Sequence, residues 1–393
     1  MQNNFDVLIL GGGLVGLTVA HLCANKRFNV AVIEQKTPDL TYSLDQYDLR
    51  CSAISRKSQR IFEEIGIWNT IVTERVSPYR SMVVWEALGF SEIKFNAAEV
   101  GEPDLGLIIE NRTMIRALWE AAKQHSNITL QPATQPKILQ MNNNEVLLET
   151  EEQKLFQANL IIGADGAQSW LRKTANIDVN VRDYHQYALV ANVKTEFSHQ
   201  ETAWQRFLSE GPLAFLPLSE PCMSSIVWTA TEEKINALMS LPEDEFCQTL
   251  AQAFDYRLGR ILASSTGQCF PLKMLHAKQY IKERLALIGD ALHVIHPLAG
   301  QGVNLGLEDA FELAEIINTA RNNGSDIGDY LVLRKYERAR KGAVAKMIFA
   351  MEFFKKTFTS QSFLNSSLRS FGIGILNKSS YLKEKIIQEA LGL

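Results

Sequence analysis

The sequence predicts an α/β protein. A Rossmann-like dinucleotide-binding domain is assembled from separate segments, with an inserted mixed β-sheet domain and a helical C-terminal tail. Three observations predict it. A glycine fingerprint, Gly11-x-Gly13-x-x-Gly16, stands between a strand pattern and a helix pattern. The middle of the chain, from about residue 184 to 270, is strand-rich. Beyond it, residues 285–310 return to a strand, a turn and a helix. Distant pieces of one layered unit make the intervening chain an insertion.

The elements follow in order. Residues 5–10 (FDVLIL) read as a short apolar strand, and the glycines at 11–13 make a turn. Residues 14–25 read as a helix with Leu14, Leu17, Ala20 and Leu22 on its buried side. Residues 30–34 form the second strand, which completes a βαβ opening. The chain to about Trp68 is mixed and contains the polar run DQYDLRCSAIS. Residues 81–95 alternate as strand, and residues 111–124 carry Ile115, Leu118 and Ala122 at helical spacing. Residues 130–158 read as short strands with an NNN turn, and 158–162 as a strand that runs into Gly163-Ala-Asp165-Gly166. In the insertion, SSIVWTA is a clear strand and residues 243–254 a helix. From Asp329 onward the pattern is mostly helical. The expected dinucleotide domain is 1–75, 101–180 and 275–330. The expected inserted domain is 76–100 and 181–274, with a helical region at 331–393.

A chain of 393 residues, 46% hydrophobic and 21% charged, has the balance of a globular protein with a sizeable core. A formal net charge of −4 without a basic face gives no footprint for nucleic acid. Five scattered cysteines without a CxxC pair exclude a disulfide framework or zinc ribbon. There is no basic leader with a cleavage site and no apolar run long enough to span a bilayer. A cytoplasmic protein is expected, with contact at a membrane surface left open.

The glycine fingerprint has a division of labour. Gly11 permits the tight turn, Gly13 lets a pyrophosphate approach the backbone, and Gly16 lets helix and strand pack closely. Glu34, at the end of the second strand, can accept hydrogen bonds from an adenosine ribose, and its charge would repel a 2′-phosphate. The second acidic turn carries Asp165, whose plainer reading is an Asx turn or helix cap. The third, Gly289-Asp290, leads into Pro297-x-x-Gly300-x-Gly302-x-Asn304 and a helix over about 303–320. A helix N-terminus presents free N–H groups to an electron-rich partner, and glycines there leave room for its approach.

Together these motifs resemble the single-component FAD-dependent aromatic-ring hydroxylases, the p-hydroxybenzoate-hydroxylase-like family. Within it, HPLAGQGVNLGLEDA is similar to the signature of the ubiquinone-biosynthesis hydroxylases, the UbiH, UbiI and UbiF group. The likeness extends to DLRCSAIS, PYRSMVVWE, LGLIIENRTMIRAL and LRSFGIGILN, and so covers nearly the whole chain. It departs where GDAAHT would be usual, since Leu292 replaces an Ala and Val294 a Thr.

The resemblance implies an FAD-dependent monooxygenase. A flavin hydroperoxide would hydroxylate the ring of a polyprenylated phenol or quinone precursor, with O₂ and a transient NAD(P)H donor. It implies that Glu34 holds the adenosine ribose and that Arg50 and Arg112 meet the phosphate and ribityl region. Asp290 would bind the ribitol hydroxyls, and Pro297, Gly300, Gly302 and Asn304 would lie beside the isoalloxazine. Asp165 would belong to a turn shared with the nicotinamide donor. It also implies partners: the prenylated substrate, the inner-membrane surface or a ubiquinone-biosynthesis complex, and further copies of the chain. The competing readings are a hydroxylase of a soluble phenol and a non-catalytic flavoprotein subunit. A flavin halogenase is disfavoured because WxWxIP is absent.

No catalytic base stands out. His185 in DYHQY is a weak candidate, and a structural histidine is the plainer reading. His293 and His296 are spaced i, i+3, but no set of carboxylates or cysteines completes a ligand sphere, so no metal is expected. In the tail, KMIFAMEFFKKTF at 346–358 gathers apolar residues on one helical face beside Lys355 and Lys356. It reads as a helix packed on the core or, in the sharper version, as a membrane-facing surface.

Overall fold

The chain is described from a computed structural model covering residues 3–41, 46–86, 92–295, 302–359 and 380–391. The opening strand, Asn3–Leu10, lies at the centre of a sheet. Val30–Ile33 and then Ile128–Gln131 run parallel to it on one side. Leu155–Gly163 and then Leu285–Leu287 do so on the other. The sheet alternates in origin between early and late parts of the chain, as a domain built from separate segments requires. Ile281–Lys282 pairs antiparallel at one edge, and Pro136–Met141 and Val146–Thr150 form an antiparallel meander with Leu155–Gly163.

The central strands are apolar on both faces because both are covered, with Val7 to Leu10 and Val30 to Ile33 all buried. Helix Leu14–Asn25 is buried around most of its girth, including Thr18 and His21, and not only on the predicted face. The reason is its position between helices Asn111–Gln124 and Gly302–Asn322 as well as against the sheet. Its polar groups are satisfied locally: the Thr18 hydroxyl donates to Leu14 O at 2.7 Å, and His21 Nε2 lies 3.0 Å from Leu118 O.

The strand-rich middle forms a nine-stranded sheet. The stretch predicted as one alternating strand at 81–95 is two antiparallel strands, Ser81–Glu86 and Glu92–Asn96. They join the sheet through parallel pairing with Thr202–Phe207. Val76–Pro78, expected in the same unit, belongs instead to a small sheet with Cys51–Ile54 and Leu107–Glu110. The expected boundaries at 180/181 and 274/275 fall inside the paired strands Val179–Thr195 and Gln268–Ala277, which run continuously across the joint.

Helices Glu232–Met239 and Glu243–Ala253 pack with one face of the large sheet around Trp85, Phe215 and Phe254, with Phe215 and Phe254 stacked at 3.8 Å. A third apolar cluster joins Ala53, Tyr79, Leu105, Ile108, Leu216 and Leu218 to Ile387 and Leu391 of helix Ser380–Leu391. The tail thus returns to the junction between the small and large sheets. Among the described residues no helix is long and apolar enough to cross a membrane.

Candidate functional site

Sheet register gathers the three acidic or glycine-rich turns. Leu10 is level with both Gly163 and Ile33, and Gly163 is level with Leu287. The turns after these parallel strands therefore open at one edge, where the strand order switches from one half of the fold to the other. That is where open α/β sheets bind ligands. The Gly11 turn, Glu34, Asp165 and Asp290 are brought together in this way.

The fingerprint glycines differ in what a Cβ would meet. Gly11 adopts a φ of +106°, and a Cβ there would lie 2.3 Å from Ala164 O. A Cβ on Gly16 would lie 2.0 Å from Gly11 O, so the helix cannot approach the turn with any larger residue. A Cβ on Gly13 would meet nothing within 4 Å. Gly13 caps helix Leu14–Asn25 with extended backbone, no side chain caps it, and no acid lies in the first turn. The N–H groups of that turn are left for an external acceptor.

Glu34 is half-buried. One carboxylate oxygen accepts from Gly12 N at 2.6 Å and the other from Lys36 N at 2.9 Å. A carboxylate has about four acceptor sites, so this leaves capacity for a diol. Asp165 accepts from Leu171 N at 3.1 Å through Oδ2, beside Ser169, which caps that helix, while Oδ1 is buried without a partner. Asp290 is reached by solvent but ringed by protein. Desolvation pushes its carboxyl up from the ordinary aspartate value, against the opposing charges of His293 and Arg50. An open glycine, a bare helix start and an orphaned acidic oxygen fit a dinucleotide with a polyol chain, and FAD has both.

Arg50 is exposed, and its backbone is held by Asp48 Oδ1 at 3.1 Å. Arg112 is less free. Its guanidinium pairs with buried Glu110 at 2.9 Å and also donates to Gln46 O, and its N–H donates to Asp48 Oδ2 at 3.2 Å. Glu110 also accepts from Asp48 N at 2.6 Å and pairs with Arg75 at 3.0 Å. This cluster shapes the segment that presents Arg50. Gly302 opens its helix, and a Cβ there would meet nothing within 4 Å. Asn304 donates to Ala53 O at 2.8 Å and accepts from Ser55 N at 3.1 Å, which fixes the helix start to the small sheet. Pro297, Gly300 and His296 lie outside the described residues.

Sequence reasoning missed the support behind Asp290. Asp309 is fully buried and accepts from Gly289 N at 3.1 Å, from His293 Nε2 at 2.6 Å and from Arg340 Nε at 2.7 Å. Burial alone would raise its carboxyl, but His293 and Arg340 hold it below the ordinary value. Arg340 also reaches Glu308 at 3.0 Å and Leu305 O at 3.1 Å. On the other side, Arg172 donates to Ala291 O and Ala167 O, both at 2.7 Å. The available signal was an acid at 309 between apolar positions 307, 310 and 313 of a helix.

Geometry takes His185 out of the site and gives His293 a carboxylate partner. His185 occupies an irregular step between the paired strands at a φ of +51°, with its side chain 90% exposed. Nothing at such a position excludes water from a reacting phenol, and the site does not include it. His293 is committed to Asp309, so it serves the turn. A cavity of about 490 Å³ lies beside Ile281–Lys282 and helix Tyr330–Thr359. Its charges are paired among neighbours, as in Lys341–Glu337 at 2.9 Å and Lys278–Asp178 at 3.2 Å. It shares no residue with the gathered turns.

Comparison with known proteins agrees with this geometry. A family model described as "FAD binding domain" matches residues 4–350. The chain is 35% identical over 388 residues to the 3-demethoxyubiquinol 3-hydroxylase of Escherichia coli K12, covering 99% of this chain and 98% of that protein. It is 30% identical over 455 residues to the mitochondrial ubiquinone biosynthesis monooxygenase COQ6 of Dictyostelium discoideum, covering 100% and 92%. Among solved structures it is similar in fold to Pseudomonas aeruginosa PqsL, crystallised with 2-aminobenzoylacetate. The TM-score is 0.80 at 20% identity, with 95% of this chain and 100% of that one covered.

Proposed function

Because this chain belongs to the family of FAD-dependent hydroxylases of ubiquinone biosynthesis, we propose that it hydroxylates the aromatic ring of a polyprenylated ubiquinone precursor, with O₂ and NAD(P)H. One observation carries the reading. The chain matches a hydroxylase of ubiquinone biosynthesis from end to end, and the turns that the sequence resemblance assigns to a flavin gather at one sheet edge.

In this reading Gly11, Gly13 and the start of helix Leu14–Asn25 hold the pyrophosphate, and Glu34 holds the adenosine ribose. Arg50 meets the phosphates. Arg112 acts mainly by shaping the segment that presents Arg50, because its guanidinium is already engaged. Asp290 binds ribitol hydroxyls, Asp165 borders the donor's approach, and Pro297, Gly300, Gly302 and Asn304 flank the ring system. The flavin supplies the redox and oxygen chemistry. The protein orients the phenol, excludes water and offers helix N–H groups to negative charge on the flavin. The nicotinamide donor binds transiently, without a second glycine fingerprint. Residues 76–100, apart from Val76–Pro78, and 181–274 form most of the substrate-binding unit. The protein works at the cytoplasmic face of a membrane, where a prenylated phenol resides.

The test has two stages. Purified protein should be yellow or take up FAD, and NAD(P)H oxidation should rise when a prenylated phenol is added. Cells lacking the protein should then accumulate one under-hydroxylated intermediate by mass spectrometry. A demethoxy intermediate would match the step named for the E. coli relative. A normal ubiquinone pool, or a protein that cannot hold FAD, defeats the proposal.

A further inference from the structure

A small cavity lies between the three-stranded sheet and the facing side of the large one. Ala53, Met82, Ile108 and Leu216 supply apolar walls, and Tyr79 and Gln205 also line it. Sheet register puts Met82 beside Ala203 and Gln205 beside Ala214, so these positions share one face. Tyr79 and Gln205 are only 8% and 6% exposed. Among the described residues neither side chain makes a hydrogen bond, whereas the one other polar group on the wall, the Trp204 indole, donates to His199 O at 3.3 Å.

The surroundings keep Tyr79 available as a donor. A Cβ on Gly106 would lie 3.1 Å from the Tyr79 hydroxyl, so the glycine leaves it room. Burial, and then the nearby Asp104 charge, push the phenol above its ordinary value, and it stays protonated at neutral pH. The Gln205 amide can donate or accept. The cavity also lies beside the start of helix Gly302–Asn322, because Ala53 on its wall accepts from Asn304.

We propose that Tyr79 and Gln205 form the recognition site for an oxygen substituent of the substrate ring, and that they thereby select which ring carbon is presented for hydroxylation. The assignment rests on the hydroxylase reading above. The free volume of about 20 Å³ admits one oxygen-sized group. The ring that carries it follows as Met82, an unbranched and adaptable side chain, moves aside. Two polar groups in an apolar wall suit a phenol or quinol oxygen and reject a hydrocarbon edge.

The test uses full-length, FAD-loaded protein and the conservative variants Tyr79→Phe and Gln205→Met. The probe is a phenol with a short isoprenoid chain. Flavin content and thermal midpoint serve as controls for the fold. Binding is read from the perturbation of the flavin spectrum, and coupling from the ratio of hydroxylated product to released peroxide. Each variant should keep its flavin and bind the phenol about tenfold more weakly, the equivalent of one buried hydrogen bond. Each should also divert oxygen to peroxide or shift the ring position hydroxylated. If both variants bind and couple like the wild type, the cavity holds no more than water and the assignment falls while the hydroxylase reading stands. Wild-type protein that neither binds nor hydroxylates a prenylated phenol overturns both.

Discussion

Two glycines three residues apart should fail in opposite ways when each is replaced by alanine. At Gly16 the new Cβ would lie 2.0 Å from Gly11 O and 3.2 Å from Ala164 Cβ. The obstacle is backbone in a turn that is itself fixed by Gly11 N donating to Ile33 O at 2.9 Å, so it cannot swing away. Overpacking of this kind costs about 1–3 kcal/mol, and the better helix propensity of alanine returns at most about 1. The 2.0 Å contact belongs at the upper end, so Gly16→Ala should lose about 2 kcal/mol. At Gly13 the backbone is extended, with φ −80° and ψ −172°, which any residue adopts, and the Cβ meets nothing within 4 Å. Alanine is a weaker N-cap by about 0.5–1 kcal/mol, but it narrows the unfolded ensemble by a similar amount. Gly13→Ala should therefore fold like the wild type while its methyl stands in the path of the pyrophosphate. Urea denaturation of flavin-free protein measures the first effect, and FAD titration followed at the flavin absorbance measures the second. A Gly13→Ala protein that binds FAD as tightly as the wild type would refute the phosphate assignment, and a Gly16→Ala protein of unchanged stability would refute the packing argument.

Three further outcomes are expected. Asp309→Asn should destabilise the protein by about 3 kcal/mol, the low end for breaking a buried ion pair because Arg340 keeps Glu308; it should also weaken FAD binding through the Gly289 turn, and unchanged urea unfolding would remove the network's role. His21, His199 and His276 all have imidazoles lowered from the ordinary value by burial. The unfolded chain therefore takes up protons first, so the stability they allow is complete above about pH 6.5 and declines as pH falls towards 5; a thermal midpoint flat across that window contradicts this. Phe349 is 74% exposed on helix Tyr330–Thr359 whereas Met347 and Ile348 pack against the core, so Phe349→Glu should reduce flotation with anionic liposomes, and equal flotation would discard the membrane-facing surface.

The fold was readable where local chemistry and tertiary role coincide. Gly11 and Gly16 must be small because a Cβ at either would strike backbone, and the fingerprint marks both. Strand and helix periods placed residues 14–25 and 111–124 as helices with the observed bounds. Reading was weaker where a pattern serves two elements. Residues 81–95 alternate throughout, because both strands of an antiparallel pair have period two and the sequence does not mark the turn between them. Val76–Pro78 looks like its neighbours in sequence, and only pairing with Leu107–Glu110 assigns it to the small sheet. Pairing partners are long-range facts that periodicity does not encode.

The site divides along the same line. Residues in the turns that follow the parallel strands leave motifs, and Glu34, Asp165 and Asp290 were found through them. Residues that hold those motifs in place leave almost none. Asp309 is one acid in a helix of ordinary composition, and Arg340 follows it by 31 positions, yet the two join His293 in a fully buried contact behind the Asp290 turn. Burying that much charge is costly, and the same helix packing could have been achieved with apolar side chains. What an apolar substitute cannot do is fix Gly289 N and the His293 ring in one orientation. The network is therefore better understood as a device for the geometry of the turn than for the stability of the fold. On that view Asp309→Asn should lower FAD affinity by more than an apolar core substitution of equal cost in stability, such as Leu313→Ala on the same helix. Equal losses of affinity at matched stability would reduce Asp309 to ordinary packing.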